Sequence, residues 1–399
     1  MTRRVALLEN PIQDYDWGSR TALAELLGRE PSLRPQAELW MGAHPRAPSR
    51  VRFAEGSLEL GEWIERDPDA VLGRAVVERF GPRLPFLFKV LAVERALSIQ
   101  VHPDARQAAE GFAREQAEGM PLDAAERCYR DPSPKPELVC ALTPFRVLRG
   151  FRPVAEIREA FRRLGGEALA LAACLDDAPS PAEGLRRLLD ALLGMPAADR
   201  ARGLAGAVAE ASKRAGDDPA CAWVERLAAE HPGDPGALAP LYLRLFTLAP
   251  GEAMFLPAGE LHAYLHGTAV ELMANSDNVL RGGLTHKRVD PRELMRTVDF
   301  AAPEPRVLRP EPRGPGRVAY RTPARDFELE VIAVEEGDPV ALEVRSASIL
   351  LCTEGAVWVE ERDGAATGLP RGSSCLVPAA ARRIRLEGAG RVYRASVPD

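Results

Sequence analysis

The residues best placed to do chemistry are Gln100 and His102, separated by Val101. In an extended strand residues i and i+2 point to one face, so this carboxamide and imidazole can converge on one point. Glu137, in the run Lys135-Pro136-Glu137, and His262 can complete a four-ligand set of nitrogen and oxygen donors. Zinc accepts such ligands, although glutamine is an unusual choice and the set is less thiophilic than a cysteine site. A strand histidine also serves as a hydrogen-bonded core residue, so spacing alone leaves both readings open. Lysine gives a second pointer. Of the 52 basic residues only four are lysines: Lys89, Lys135, Lys213 and Lys287. Where arginine serves nearly every surface task, a lysine marks a place that needs a compact ammonium.

These side chains lie far apart in the chain, so the fold has to gather them. At 399 residues the chain is long enough for two or three domains. Its hydrophobic fraction of 46% supports real cores. A net charge of -6 argues against a nucleic-acid or membrane-surface binder. No apolar run approaches the ~20 residues needed to cross a bilayer, and the stretch Val5 to Leu8 is too short for a signal peptide. The cysteines (128, 140, 174, 221, 352, 375) show no Cys-x-x-Cys pair, which predicts reduced thiols and a cytoplasmic protein.

Residues 1 to about 150 read as β-rich with loops. PFLFKVLAV (85–93) is an apolar strand run, and ALSIQVHPD alternates until Pro103 stops it. Between Val154 and Pro235 apolar residues fall at helical spacing. Ile157, Phe161 and Leu164 make one stripe, Leu185, Leu188, Leu189 and Leu192 another. Ser180-Pro181-Ala182-Glu183 is a capping-box start. Strands return at Leu241, and the proline-rich segment 302–316 reads as a connector. From Phe327 onward FELEVIAV, VALEVRSASILLC, AVWVEER, SSCLVPA, RRIRLEG and RVYRASV read as short strands with a turn at Asp363-Gly364. A faint repeat links Gly251-x5-Pro257-Ala258 to Gly372-x5-Pro378-Ala379, each a turn, a strand and a second turn. The first copy runs on to His262, whereas the second has no histidine nearby.

Gly251-x5-Pro257-x-Gly259-x2-His262-x3-His266 resembles the second signature of the cupin superfamily, with Gln100-x-His102 where the first histidine pair would lie. The distance between the two motifs fits a barrel interrupted by the helical block. Further segments sharpen the resemblance: YDWGS (15–19), ELWMGAHP (38–45), LFKVL (87–91), LSIQVHPD (97–104), YRDPSPKPEL (129–138), ALTPF (141–145), LPAGELHAYLHG (256–267) and SDNVLRGGLTHK (276–287). In this order they resemble type I phosphomannose isomerases, zinc enzymes that interconvert mannose 6-phosphate and fructose 6-phosphate. The resemblance spans roughly residues 5–300. It implies a mainly β chain in which a cupin (jelly-roll) catalytic domain (1–153 and 238–318) carries an inserted α-helical domain (154–237). A second, degenerate cupin-like β domain (319–399) follows.

Carried over residue by residue, the resemblance implies one zinc per chain on Gln100, His102, Glu137 and His262. It implies a pocket of Trp17, Glu38, Lys89, Ser98, Tyr264, Asp277 and Lys287, with Lys135, Glu271 and Arg281 as candidates for the chemistry. Moving a carbonyl between C1 and C2 takes a base at carbon and positive groups for the developing enediolate. Glu271 is the implied base, Lys135 a proton shuttle or electrophile, and Arg281 an alternative; the sequence does not rank them. Ser98, Lys89 and Lys287 are expected on the phosphate side, with Arg281 in reserve. The partner that the resemblance implies is a small phosphorylated sugar, and a monomer is expected. Two departures stand out: Ser133-Pro134 precedes Lys135 where relatives often read Asn-His, and His286 precedes Lys287 where proline is usual, a change expected to loosen that loop. A non-catalytic sugar-phosphate sensor and an isomerase of another aldose are the alternatives.

Overall fold

The apolar run before Glu94 forms the strand Phe86–Val93, buried at every position including Lys89, as a strand covered on both faces must be. The computed structural model describes residues 4–53, 56–301 and 304–398. Among these residues the strands form two sheets, of ten and eleven strands. Helices cover the remainder of the regular structure, and none is long and apolar enough to cross a membrane among the described residues.

The ten-stranded sheet is organised by one long strand, His262–Ala274. Its second half runs antiparallel between Phe86–Val93 and Glu137–Ala141, and its first half pairs with Ile99–Val101 and Phe145–Phe151. The change of partners occurs at Gly267, where φ is 119° and a Cβ would lie 2.5 Å from the Pro144 carbonyl oxygen. Glycine alone fits such a close approach without strain. Just before it the register slips between Tyr264 and His266. One extra residue exchanges inside for outside, so His262 and Tyr264 ahead of the bulge share a face with Glu271 beyond it.

The helical block is present as Val154–Leu164, Gly166–Ala172, Pro181–Leu193, Ala197–Ser212 and Pro219–Glu230. Both apolar stripes are buried, and they share a core with Ile99, Val101, Leu148, Leu261 and Leu280 of the sheet. Ser180 accepts the Glu183 N–H, but Glu183 turns its carboxylate to Arg187, so the expected box is half formed. The full reciprocal box lies elsewhere, at Asp104 and Gln107, and starts the helix Ala105–Ala117. That helix, with Leu60–Arg66, Pro68–Leu72 and Arg74–Phe80, makes the first 150 residues more helical than their sequence suggests.

The C-terminal strands are fewer and longer than the sequence reading has them. Ser348–Glu361 joins ILLC to AVWVEE through a bulge between Cys352 and Glu354, and Arg383–Ser396 joins RRIRLEG to RVYRAS. VALEVRSASILLC breaks in two instead, because Val340–Glu343 pairs with Arg383–Leu386 and the chain turns before Ser348. The turn at Asp363-Gly364 does join Ser348–Glu361 to Ala366–Pro370. The repeat is also real: Ala253–Leu256 and Ser374–Val377 each follow a glycine at φ near 80° and precede a proline. Ala302 and Pro303 of the expected connector lie outside the described residues. Its later part is no bare linker, since Glu311–Gly314 pairs with Arg317–Tyr320.

The eleven-stranded sheet is not purely C-terminal. Ala6–Glu9 lies between Ser374–Val377 and Arg50–Phe53, so the N-terminal strands are stitched into it. A single cluster of buried side chains then runs from Leu8 and Trp63 through Phe86 and Leu138 to Tyr320, Ile349 and Leu376.

Candidate metal centre and active site

Register assembles the centre. His262 opens the long strand directly opposite Gln100, Gln100 in turn lies opposite Arg281, and Glu137 opens the strand that faces Met273. His102 follows the end of Ile99–Val101. The result is a group of three buried donors, His102, Glu137 and His262, within metal-binding reach of one another. His102 Nε2 stands 3.4 Å from Glu137 Oε1, and His262 Nε2 stands 3.6 Å from Glu137 Oε2. Ligands about 2.0–2.1 Å from one tetrahedral ion sit about 3.3 Å apart.

The tautomers fit as well. His102 Nδ1 contacts the Asn278 carbonyl oxygen at 2.8 Å and His262 Nδ1 that of Glu260 at 3.0 Å. A carbonyl can only accept, so each Nδ1 carries the proton and each Nε2 presents a lone pair inward. His102 Nε2 is buried and has no hydrogen-bond partner among the described residues. An orphaned buried acceptor is costly, and a cation explains it. Burial, with His102 adding to it, pushes His262 down to about 3, keeping its imidazole neutral. Burial would raise Glu137, but Lys135 and then His102 outweigh it and hold the carboxyl well below the usual range. Gln100 lines the same cavity, its amide donating to Ser98 Oγ at 3.2 Å.

Around these donors is a cavity of about 70 Å³ whose walls include Glu38, Lys89, Ser98, Lys135, Tyr264 and Glu271. Lys135 Nζ lies 2.9 Å from Glu137 Oε1. Lys89, which faces Glu271 across the sheet, sits 3.2 Å from Glu271 and 3.4 Å from Glu38. Burial works against its charge, yet Glu38 and Glu271 raise the ammonium's pKa. Burial raises the Glu271 carboxyl despite Lys89. Tyr264 keeps a buried hydroxyl with no partner among the described residues, and burial and Glu271 push it up.

The remaining expected residues lie outside that cavity. Trp17 stacks on Tyr15 at 5.9 Å. Asp277 pairs with Arg46 at 2.8 Å and with His44 at 3.5 Å. Burial alone would raise it, but His44 and Arg46 hold it at about 2. Arg281 reaches a neighbouring cleft beside Cys128 and Arg288. Lys287 is exposed, and desolvation together with Arg281, Arg46 and Arg130 pushes its ammonium down while Glu38 opposes them. Lys213 pairs with Glu210 on an exposed helix face.

Four residues escaped the sequence reading. His44 lies inside ELWMGAHP, and its Nδ1 accepts the Arg46 N–H while Nε2 faces Asp277. Arg46 stacks on Trp40 at 5.4 Å. Asn278 anchors His102 with its carbonyl, and its side chain binds Arg130, Asp131 and Ser133. Arg130 joins the cations near Lys287. The two arginines carried no signal, being two among many.

Two sheets with a buried His-Glu-His group at the end of a long bulged strand define a class: a β protein with a metal-binding pocket lined by paired carboxylates and ammonium groups. Comparison with known proteins narrows it. Residues 5–154 match the family description "Phosphomannose isomerase type I, catalytic domain". The chain is 43% identical to the mannose-6-phosphate isomerase of Escherichia coli (strain K12) over 97% of its length and 98% of that protein's. It is 36% identical to that of Bos taurus, covering 94% of each. A lysine-to-alanine variant of the Salmonella typhimurium phosphomannose isomerase superposes with a TM-score of 0.92 at 39% identity, covering 99% of this chain and 100% of that one. A zinc-bound mannose 6-phosphate isomerase superposes at 0.90 and 38% identity, with coverage of 99% and 100%. The chain belongs to the type I mannose-6-phosphate isomerase family and is an isomerase.

Proposed function

We propose that the chain interconverts mannose 6-phosphate and fructose 6-phosphate, with one zinc held by His102, Glu137, His262 and the neighbouring Gln100, through proton transfer and an enediol. The observation that carries this is the orphaned Nε2 of His102 aimed at Glu137, in a cavity that also holds Lys135 and the Lys89–Glu271 pair. When bound, zinc supplies a Lewis acid that polarises the sugar's oxygens. Glu271 takes the proton at C2 and returns it to C1. Its raised carboxyl supports this role, because a base of higher pKa is a better proton acceptor near neutrality. Lys89 steadies the Glu271 carboxylate. Lys135 stands where it can hold or pass a proton at the neighbouring oxygen, and the Tyr264 hydroxyl offers a hydrogen bond to the sugar.

The phosphate projects from the small cavity toward Lys287, Arg281, Arg46 and Arg130, with Ser98 nearer the metal. Lys89, already shared by two carboxylates, is the weaker phosphate ligand. Asp277 and Trp17 shape the entrance. The architecture is read as a cupin barrel (1–153 and 238–318) opened by a helical insertion (154–237) and followed by a degenerate cupin-like domain (319–399). The faint repeat and the split of the motifs by helices support that reading. The free thiols support a reducing compartment, and a monomer is the expected state. Metal analysis of the purified chain beside a coupled assay with mannose 6-phosphate tests the proposal. One zinc per chain, loss of turnover with a chelator and recovery with zinc are expected. Full turnover in the metal-free chain would overturn it.

A further inference from the structure

The strand that carries Arg281 leaves its sheet through two unusual residues. Gly283 has φ 138° and Leu284 has φ 54°. Leu284 is a bulky residue in left-handed backbone, which persists only where the surroundings impose it. Its side chain is buried at 2% exposure. What presses on this turn is Asp234-Pro235-Gly236, which follows the last long helix of the helical block. A Cβ on Gly236 would stand 2.9 Å from the Leu284 nitrogen, and one on Gly283 2.9 Å from Asp234 Oδ1. The two turns therefore meet backbone to backbone.

One side chain ties them together. Asp234 Oδ1 accepts the Gly236 N–H at 2.8 Å and Oδ2 accepts the Thr285 N–H at 3.2 Å. Thr285 Oγ1 in turn accepts the Lys287 N–H at 3.0 Å. Behind the loop lies a cavity of about 430 Å³, walled by Leu189, Leu192, His231 and Val289; His231 meets His286 with 6.0 Å between ring centroids, while Leu284 packs into the core. His286, unlike a proline, leaves φ free just before Lys287.

We propose that Asp234 is a positioning residue: through Thr285 it fixes the 283–287 loop and so holds Lys287 at the phosphate end of the substrate. The proposal rests on the reading of Lys287 as a phosphate-side group. Asp234 itself belongs to the helical block and bonds Gly236 and Thr285, neither of them an expected substrate residue.

The test uses the full-length, zinc-loaded chain and four variants. D234A removes both bonds. D234S keeps a short acceptor for the turn at Gly236 but cannot reach Thr285, so the fold is preserved while the strap is lost. K287A reports the cation itself. L189A, on the cavity wall, reports simple destabilisation. For D234A and D234S we expect KM for mannose 6-phosphate and the inhibition constant of inorganic phosphate to rise together, by about 10-fold, the loss of one well-placed contact. The turnover number and zinc content stay near those of the parent. D234A combined with K287A raises KM no further than K287A alone, the non-additivity of groups acting as a unit. L189A lowers Tm and leaves KM and phosphate inhibition unchanged. If D234S folds and keeps the parent KM and phosphate inhibition while K287A raises both, Asp234 does not position the loop. If K287A leaves both unchanged, the cation reading is wrong and the proposal falls with it.

Discussion

At the scale of single residues, the centre is defined by which atoms are left without partners. His102 and His262 each commit Nδ1 to a carbonyl, leaving Nε2 for a ligand, and Glu137 is kept ionised between them by Lys135. Lys135 is close enough to donate or receive a proton without being itself a ligand. Lys135→Ala is expected to lower turnover by about 10²- to 10⁴-fold, the usual worth of a positioned acid or base, with zinc near one per chain by metal analysis. Normal turnover would remove Lys135 from the chemistry. Glu271 makes a pH-dependent prediction. It must be ionised to act as a base, and burial raises its pKa. The acid limb of kcat/KM should therefore lie above the ordinary glutamate value of about 4.3, with activity rising as pH climbs through it. Glu271→Gln should abolish both the activity and the limb. A limb at or below the ordinary value would assign the base elsewhere.

At the scale of elements, the bulge before Gly267 does the most for function. Without the slip between Tyr264 and His266, Glu271 would face away from His262 and the cavity would lose its Lys89–Glu271 pair. The helix Ala105–Ala117 has a similar role on the other side, since its capping box begins two residues after His102. Asp104→Ala removes the acceptor for the Gln107 N–H and should cost about 1 kcal/mol of stability, read as a lowered denaturant midpoint. Zinc content should hold, because His102 is anchored by Asn278 and by the strand, not by the cap. Loss of zinc at unchanged stability would contradict this division of labour.

At the scale of the whole molecule, the sheets are interleaved along the chain. Ala6–Glu9 completes a sheet built mainly from residues after 310, and Tyr320 donates a hydrogen bond to the Gly251 carbonyl at 2.6 Å. The cluster joining Leu8, Phe86, Leu138, Tyr320 and Leu376 leaves no clean place to cut. Calorimetry should show one cooperative transition for the region spanning both sheets. A chain ending at residue 318 should aggregate or lose cooperative unfolding, because it strands the edge of Ala6–Glu9 and opens that core. A soluble truncated chain with a sharp transition and parent-like turnover would show that the second sheet is dispensable.

Much of this was legible from residue types and order. Alternation placed Gln100 beside His102, helical spacing marked the block after Val154, and the scarcity of lysine pointed to Lys89 and Lys135, both of which line the cavity. These are local properties, fixed by side-chain periodicity and by what each group can bond. The rest depended on non-local pairing. Gly267 marks an irregularity inside His262–Ala274, but the slip beside it depends on non-local pairing, with the Pro144 carbonyl closing on that glycine from outside the strand. The strand breaks near the C-terminus, the stitching of Ala6–Glu9 into a distant sheet and the gathering of Arg46 and Arg130 beside Lys287 likewise arise only when remote segments meet. The sequence by itself determined which groups could hold a metal and move a proton. Tertiary structure decided which of them face the same cavity, because side chains far apart in the chain acquire a common direction only through the register of the strands that carry them.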